Sequence, residues 1–106
     1  MIILFEKLQK LVEKAGVEAW SEFYTTLEAE GCIDSEYLKH TAGQDIAEVL
    51  KNVESMSVQE VCTWLTWILR GERFCDGLFE SCIENGSLQT LLKRGVKIEN
   101  LSNMPE

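Results

Sequence analysis

The stretch from Ser57 to Leu69 constrains the fold more than any other part of the chain. Ser57-Val58-Gln59-Glu60 has the Ser-x-x-Glu form of a capping box, in which the two side chains each satisfy a free backbone N–H at a helix start. Behind it, Val61, Cys62, Trp64, Leu65, Trp67, Ile68 and Leu69 leave only Thr63 and Thr66 as polar relief before Arg70. A helix that is apolar around most of its circumference must be covered on several sides. Residues 58–70 are therefore expected to form a central helix with the rest of the chain packed around it.

The remaining apolar residues also repeat at helical spacing. Leu4, Leu8, Leu11, Val12 and Ala15 fall on one side of residues 2–15, and Gly16 supplies a stop. Trp20, Phe23, Tyr24 and Leu27 follow at i, i+3, i+4, i+7, an aromatic stripe that reads as core and ends at Gly31. Residues 32–40 read as a connector in which Asp34 or Ser35 can cap a short turn ahead of Tyr37 and Leu38. Thr41-Ala42-Gly43-Gln44 has the form of a second capping box, with Ile46, Val49, Leu50 and Val53 as the stripe behind it. After the central helix, residues 76–85 carry Leu78, Phe79, Cys82 and Ile83, and Gly86 ends them. Ser87 then caps a last helix through Leu88, Leu91 and Leu92 to Gly95. Val96 and Ile98 read as a short extended segment, and Met104-Pro105-Glu106 as a frayed end. The expected architecture is all-α: residues 1–106 as a single compact bundle of five or six helices, with the tail 96–106 partly irregular.

Composition narrows the class of function. The 106 residues are 45% hydrophobic and carry one proline, so a folded unit burying about two-thirds of its surface is expected rather than a disordered tail. Acids outnumber bases 18 to 10, for a net charge of −8. Nucleic acids are bound mainly through lysine and arginine, so this balance disfavours them as partners. The charge is uneven: residues 1–50 hold 10 acids and 4 bases, residues 51–106 hold 8 acids and 6 bases. The apolar start, Met1 to Phe5, is too short for a secretory signal or a spanning helix, which points to a cytoplasmic chain with reduced thiols and no membrane contact. Cys32, Cys62, Cys75 and Cys82 contain no Cys-x-x-Cys pair, and His40 is a lone histidine far from a partner, so neither metal nor cofactor is expected. Cys62 and Cys82 read as small buried hydrophobes, and Cys75 lies among charges.

The densest polar cluster follows the central helix: Arg70, Gly71, Glu72, Arg73, Phe74, Cys75, Asp76 and Gly77. Two readings stand for these eight residues. As a structural corner, Gly71 ends the helix or admits a close neighbour, Arg73 pairs with Asp76 three positions on, Asp76 alternatively caps the next helix, and Phe74 anchors the turn. As a site, Arg70 and Arg73 act as forked donors to an anionic or peptide ligand. Catalysis is disfavoured and no catalytic residue is assigned, because a Cys75 nucleophile would need a base and His40 is the only imidazole. A helix-turn-helix over residues 57–85 would present Glu80 and Glu84 to phosphates with no lysine or arginine between residues 78 and 85, which disfavours DNA binding. The run from Trp67 to Gly77, followed by Ile83-Glu84-Asn85-Gly86 and a leucine-rich helix, resembles an uncharacterised family of small bacterial proteins with an Arg-Gly-acid-Arg-Phe-x-acid-Gly signature. That resemblance covers about residues 57–94 and implies no activity. The expected role is a small regulatory or accessory module acting through protein contacts, with exposed aromatics as the docking face and self-association through Leu4, Leu8 and Leu11 or through the central helix as a further reading. Its alternative is a small-ligand binder or enzyme centred on residues 70–76.

Overall fold

A computed structural model describes residues 4–72 and 75–102. Its centre is the helix expected from the capping box, here running Val58–Gly71. Ser57 Oγ accepts the Glu60 N–H at 3.2 Å, and Glu60 Oε1 accepts the Ser57 N–H at 3.0 Å. Val61, Trp64, Leu65, Ile68 and Leu69 are buried, and so are Thr63 and Thr66. A buried hydroxyl costs stability unless it is bonded. Thr66 meets that requirement twice, donating to the Cys62 carbonyl at 2.8 Å and accepting the Asp34 N–H at 3.0 Å.

The other elements in chain order are α1 (Leu4–Ala15), a 3₁₀ turn (Gly16–Ala19), α2 (Trp20–Ala29), α3 (Tyr37–Thr41), α4 (Ile46–Leu50), a 3₁₀ turn (Val53–Ser55), the central α5, α6 (Leu78–Glu84) and α7 (Ser87–Ser102). The architecture is thus all-α, with α1, α2, α5, α6 and α7 as its longer members and α3 and α4 each five residues long. Helices α3, α6 and α7 pack on α5, while α1 lies along α7. One continuous core joins Leu8 of α1, Phe23 and Leu27 of α2, Leu65 and Leu69 of α5, Phe79 of α6 and Leu88, Leu91 and Leu92 of α7. The Phe23 and Phe79 rings meet edge to face at 5.8 Å. The Cα radius of gyration, 13.1 Å, is that of a compact domain of this length.

Three boundaries differ from the sequence reading. Gly95 does not stop the last helix; α7 continues through it to Ser102, and Val96 and Ile98 pack against the core as helical residues and not as an extended segment. The glycine serves packing instead: a Cβ at Gly95 would stand 2.4–2.8 Å from three atoms of the Phe5 ring, so its absence lets α1 approach α7. The same approach is fastened by Glu99, whose Oε1 accepts the Phe5 N–H at 3.0 Å at the start of α1. Thr41 does not open a capping box. It ends α3, its hydroxyl donating to the Tyr37 carbonyl at 2.8 Å, and Asp45 caps α4 by accepting the Ala47 N–H at 3.2 Å. Ser87 is the first residue of α7 and donates its N–H to Asn85 Oδ1 at 2.9 Å. The expected frayed end at residues 104–106 lies outside the described residues.

Candidate functional site

The connector after α2 is anchored to the central helix by two neighbouring devices. Cys32 and Cys62 form a disulfide with their Cα atoms 5.3 Å apart, so Cys62 is not a free buried thiol and this pair is not reduced. Cys82 keeps the expected character, free and buried, with burial pushing its thiol pKa up. Two residues past Cys32, the largely buried Asp34 accepts the Thr63 hydroxyl at 2.6 Å, the Glu36 N–H at 2.9 Å and the His40 ring at 2.6 Å from Nδ1. Burial pushes the Asp34 carboxyl up. The hydrogen bonds from Thr63, His40 and Glu36 outweigh it and hold the group below its ordinary range.

His40 is therefore not far from a partner, as its isolation in the sequence suggested. A six-residue separation is bridged by the turn into α3, which folds the ring back onto the carboxylate that opens the turn. Chemically this is an oriented imidazole, but the nearby hydroxyl of Thr63 bonds to Asp34 and not to His40, so the arrangement lacks a base–nucleophile pair. No group of three or more His, Cys, Asp or Glu residues suited to a metal occurs among the described residues.

The corner after α5 distributes its polar residues over separate tasks. Arg70 donates from Nε to the Tyr24 hydroxyl at 3.0 Å, and its guanidinium lies 5.7 Å from the Tyr37 ring centroid. Gly71 is the last residue of α5, and a Cβ there would stand 2.5 Å from Leu78 Cδ2. Glu72 reaches forward to cap α6: Oε2 accepts the Gly77 N–H at 2.9 Å and Oε1 the Phe79 N–H at 2.8 Å. Asp76 is exposed and does not cap; the N-cap position belongs to Gly77, whose φ of 88° suits glycine. Cys75 is an exposed free thiol. Arg73 and Phe74, and with them the expected Arg73–Asp76 pair, lie outside the described residues. Glu72→Ala should lower stability by about 1–2 kcal/mol, the usual effect of losing a helix cap, readable as a shifted urea midpoint.

Between α3 and this corner runs a groove of about 290 Å³ lined by Tyr37, Leu38, Trp67, Gly71, Cys75 and Leu78. Gly71 and Cys75 come from the cluster singled out in the sequence; the apolar side chains of α3 and α5 do not. The aromatic excess is not where exposure is found: Tyr37 and Trp64 are buried, Trp20, Tyr24 and Trp67 partly buried. Leu38 instead is 65% exposed, beside buried Tyr37. Nothing in the residue pattern sets Leu38 apart from Tyr37, since both read as apolar residues of the same short turn.

No described helix is long and apolar enough to cross a membrane. No curated protein and no solved structure matches the chain. A family model described only as a family of unknown function, DUF6508, matches residues 8–100, a wider span than the resemblance over residues 57–94 suggested. With α1 from Leu8 onward, the connector, the groove and most of α7 all inside that match, the chain belongs to the DUF6508 family.

Proposed function

We propose that this domain is a protein-interaction module that receives an amphipathic, positively charged segment of a partner in the groove between α3 and the α5–α6 corner. The observation that carries the reading is Leu38, 65% exposed at the rim of an apolar groove whose α3 wall follows a connector tied to α5 by a disulfide and a buried carboxylate. A large apolar side chain held at the surface on a fixed element is the usual form of a docking anchor, because little conformational freedom is lost when it is covered. Charge selects the partner's sign. The chain carries a net −8, and within two positions of the groove residues in sequence the acids Glu36, Glu72, Asp76 and Glu80 stand against Lys39, Arg70 and Arg73. Two members of the eight-residue cluster support the groove in this reading: Glu72 sets the start of α6, and Arg70 braces Tyr24 and Tyr37.

Fluorescence anisotropy with a labelled amphipathic helical peptide of leucine and lysine tests this, with its leucine–glutamate counterpart as control. The wild-type domain should bind the basic peptide at least about tenfold more tightly than Leu38→Asp does, an expected loss of about 1.4 kcal/mol or more. Leu38 is mostly exposed, so the variant should keep its urea midpoint. Equal affinity of the two proteins, or a preference for the acidic peptide, would overturn the reading.

A further inference from the structure

A second cleft, of about 520 Å³, lies between the Val53–Ser55 turn and α7, and it reverses the charge of the molecule. Among the described residues its lining includes Lys93, Arg94 and Lys97 against a single acid, Glu54, in a chain whose acids outnumber its bases 18 to 10. Val53 and Val96 give it apolar walls, and its volume is that of a small-molecule pocket. Among the described residues it shares no lining residue with the Leu38 groove.

The cations are arranged unequally. Arg94 is the fixed one: its side chain is 16% exposed, and Nε donates to the Met56 carbonyl at 3.0 Å, which leaves Nη1 3.6 Å from Glu54 Oε2. Lys97 is the more exposed, at 57%, with Nζ at 3.0 and 3.2 Å from the two Glu54 oxygens. Both cations thus converge on one carboxylate carried by a three-residue turn and itself 68% exposed. Lys97 first, then Arg94 and Lys93, hold the Glu54 carboxyl below its ordinary range, as a concentrated positive field does.

We infer that this cleft is a binding site for a small organic anion bearing carboxylate or phosphate groups, and that Glu54 is its built-in competitor. The Glu54 carboxylate occupies the place between Arg94 and Lys97 that an external anion would take. The Lys97–Glu54 pair is exposed and contributes little to stability, so opening it costs little. Arg94, already oriented by the Met56 carbonyl, offers a forked donor to the incoming group, with Lys97 and Lys93 as point charges beside it.

Isothermal titration with inorganic pyrophosphate and, separately, citrate tests both parts and distinguishes phosphate from carboxylate preference. Glu54→Gln should bind the preferred anion several-fold more tightly than wild type, and Lys97→Ala about tenfold more weakly, at constant ionic strength set with chloride. The altered side chains are more than half exposed, and matching urea midpoints check that both variants fold. Absence of binding by Glu54→Gln to either anion, or affinities that ignore Lys97→Ala, would overturn the inference. Neither outcome bears on the peptide groove.

Discussion

Reducing the Cys32–Cys62 bond is expected to lower the free energy of unfolding by about 3–4 kcal/mol, from the chain-entropy estimate for a loop of this length. The bond spans 30 residues, including α3, α4 and the turn that enters α5, so without it the unfolded chain regains the freedom of that whole segment. Against a total stability of about 5–15 kcal/mol for a domain, the change is large, and the melting temperature should fall by more than about 10 °C. The measurement is urea unfolding with and without a dithiol reductant, in a Cys75→Ser background that removes the exposed thiol. Denatured but unreduced wild-type protein should titrate as two free thiols, Cys75 and Cys82. Four thiols and an unchanged midpoint would contradict the bond.

Asp34→Ala should cost about 2–3 kcal/mol, because three hydrogen bonds to one buried carboxylate disappear together. Two features keep the figure from rising further. The Thr63 hydroxyl can turn to the Gln59 carbonyl, already at 3.0 Å, and the His40 ring, 47% exposed, regains water. Asp34→Asn should cost less, since an amide oxygen still accepts one or two of the donors. The pH dependence follows from the sign of the shift. Asp34 titrates below its ordinary value of 3.8 in the folded protein, so its contribution is present above that value and is lost as pH falls through the lower, folded one. The stability gap between wild type and Asp34→Asn should therefore be constant near neutrality and close only in strong acid. A gap that opened on acidification would have the wrong sign.

Much of this architecture is legible in the residue pattern because it is local. The Ser57 box, the α1 stripe and the glycine stop at Gly16, with φ of 55°, all rest on interactions within a turn or two. What the pattern hides is partnership across distance. Cys32 and Cys62 carry no spacing motif, since their meeting depends on how the connector returns to α5. Gly95 reads as a stop because its role, receiving the Phe5 ring, belongs to a contact 90 residues away in the chain. Glu72 reads as one charge among many, and only the fold shows its carboxylate reaching over the turn to two N–H groups of the next helix. The groove fails to announce itself for the same reason: Leu38, Trp67 and Leu78 come from three helices, and none belongs to a motif with the others.

The docking reading has one direct reporter inside the groove, because Cys75 lines it as an exposed thiol while the other free cysteine, Cys82, is buried. Alkylation of the native protein should modify Cys75 alone, followed as the growth of a single adduct by mass spectrometry. At a peptide concentration that saturates the wild-type domain, the leucine–lysine peptide should slow that reaction severalfold in wild type and clearly less in Leu38→Asp. A Cys75 rate indifferent to bound peptide would place the peptide elsewhere on the surface and contradict the groove as the docking face.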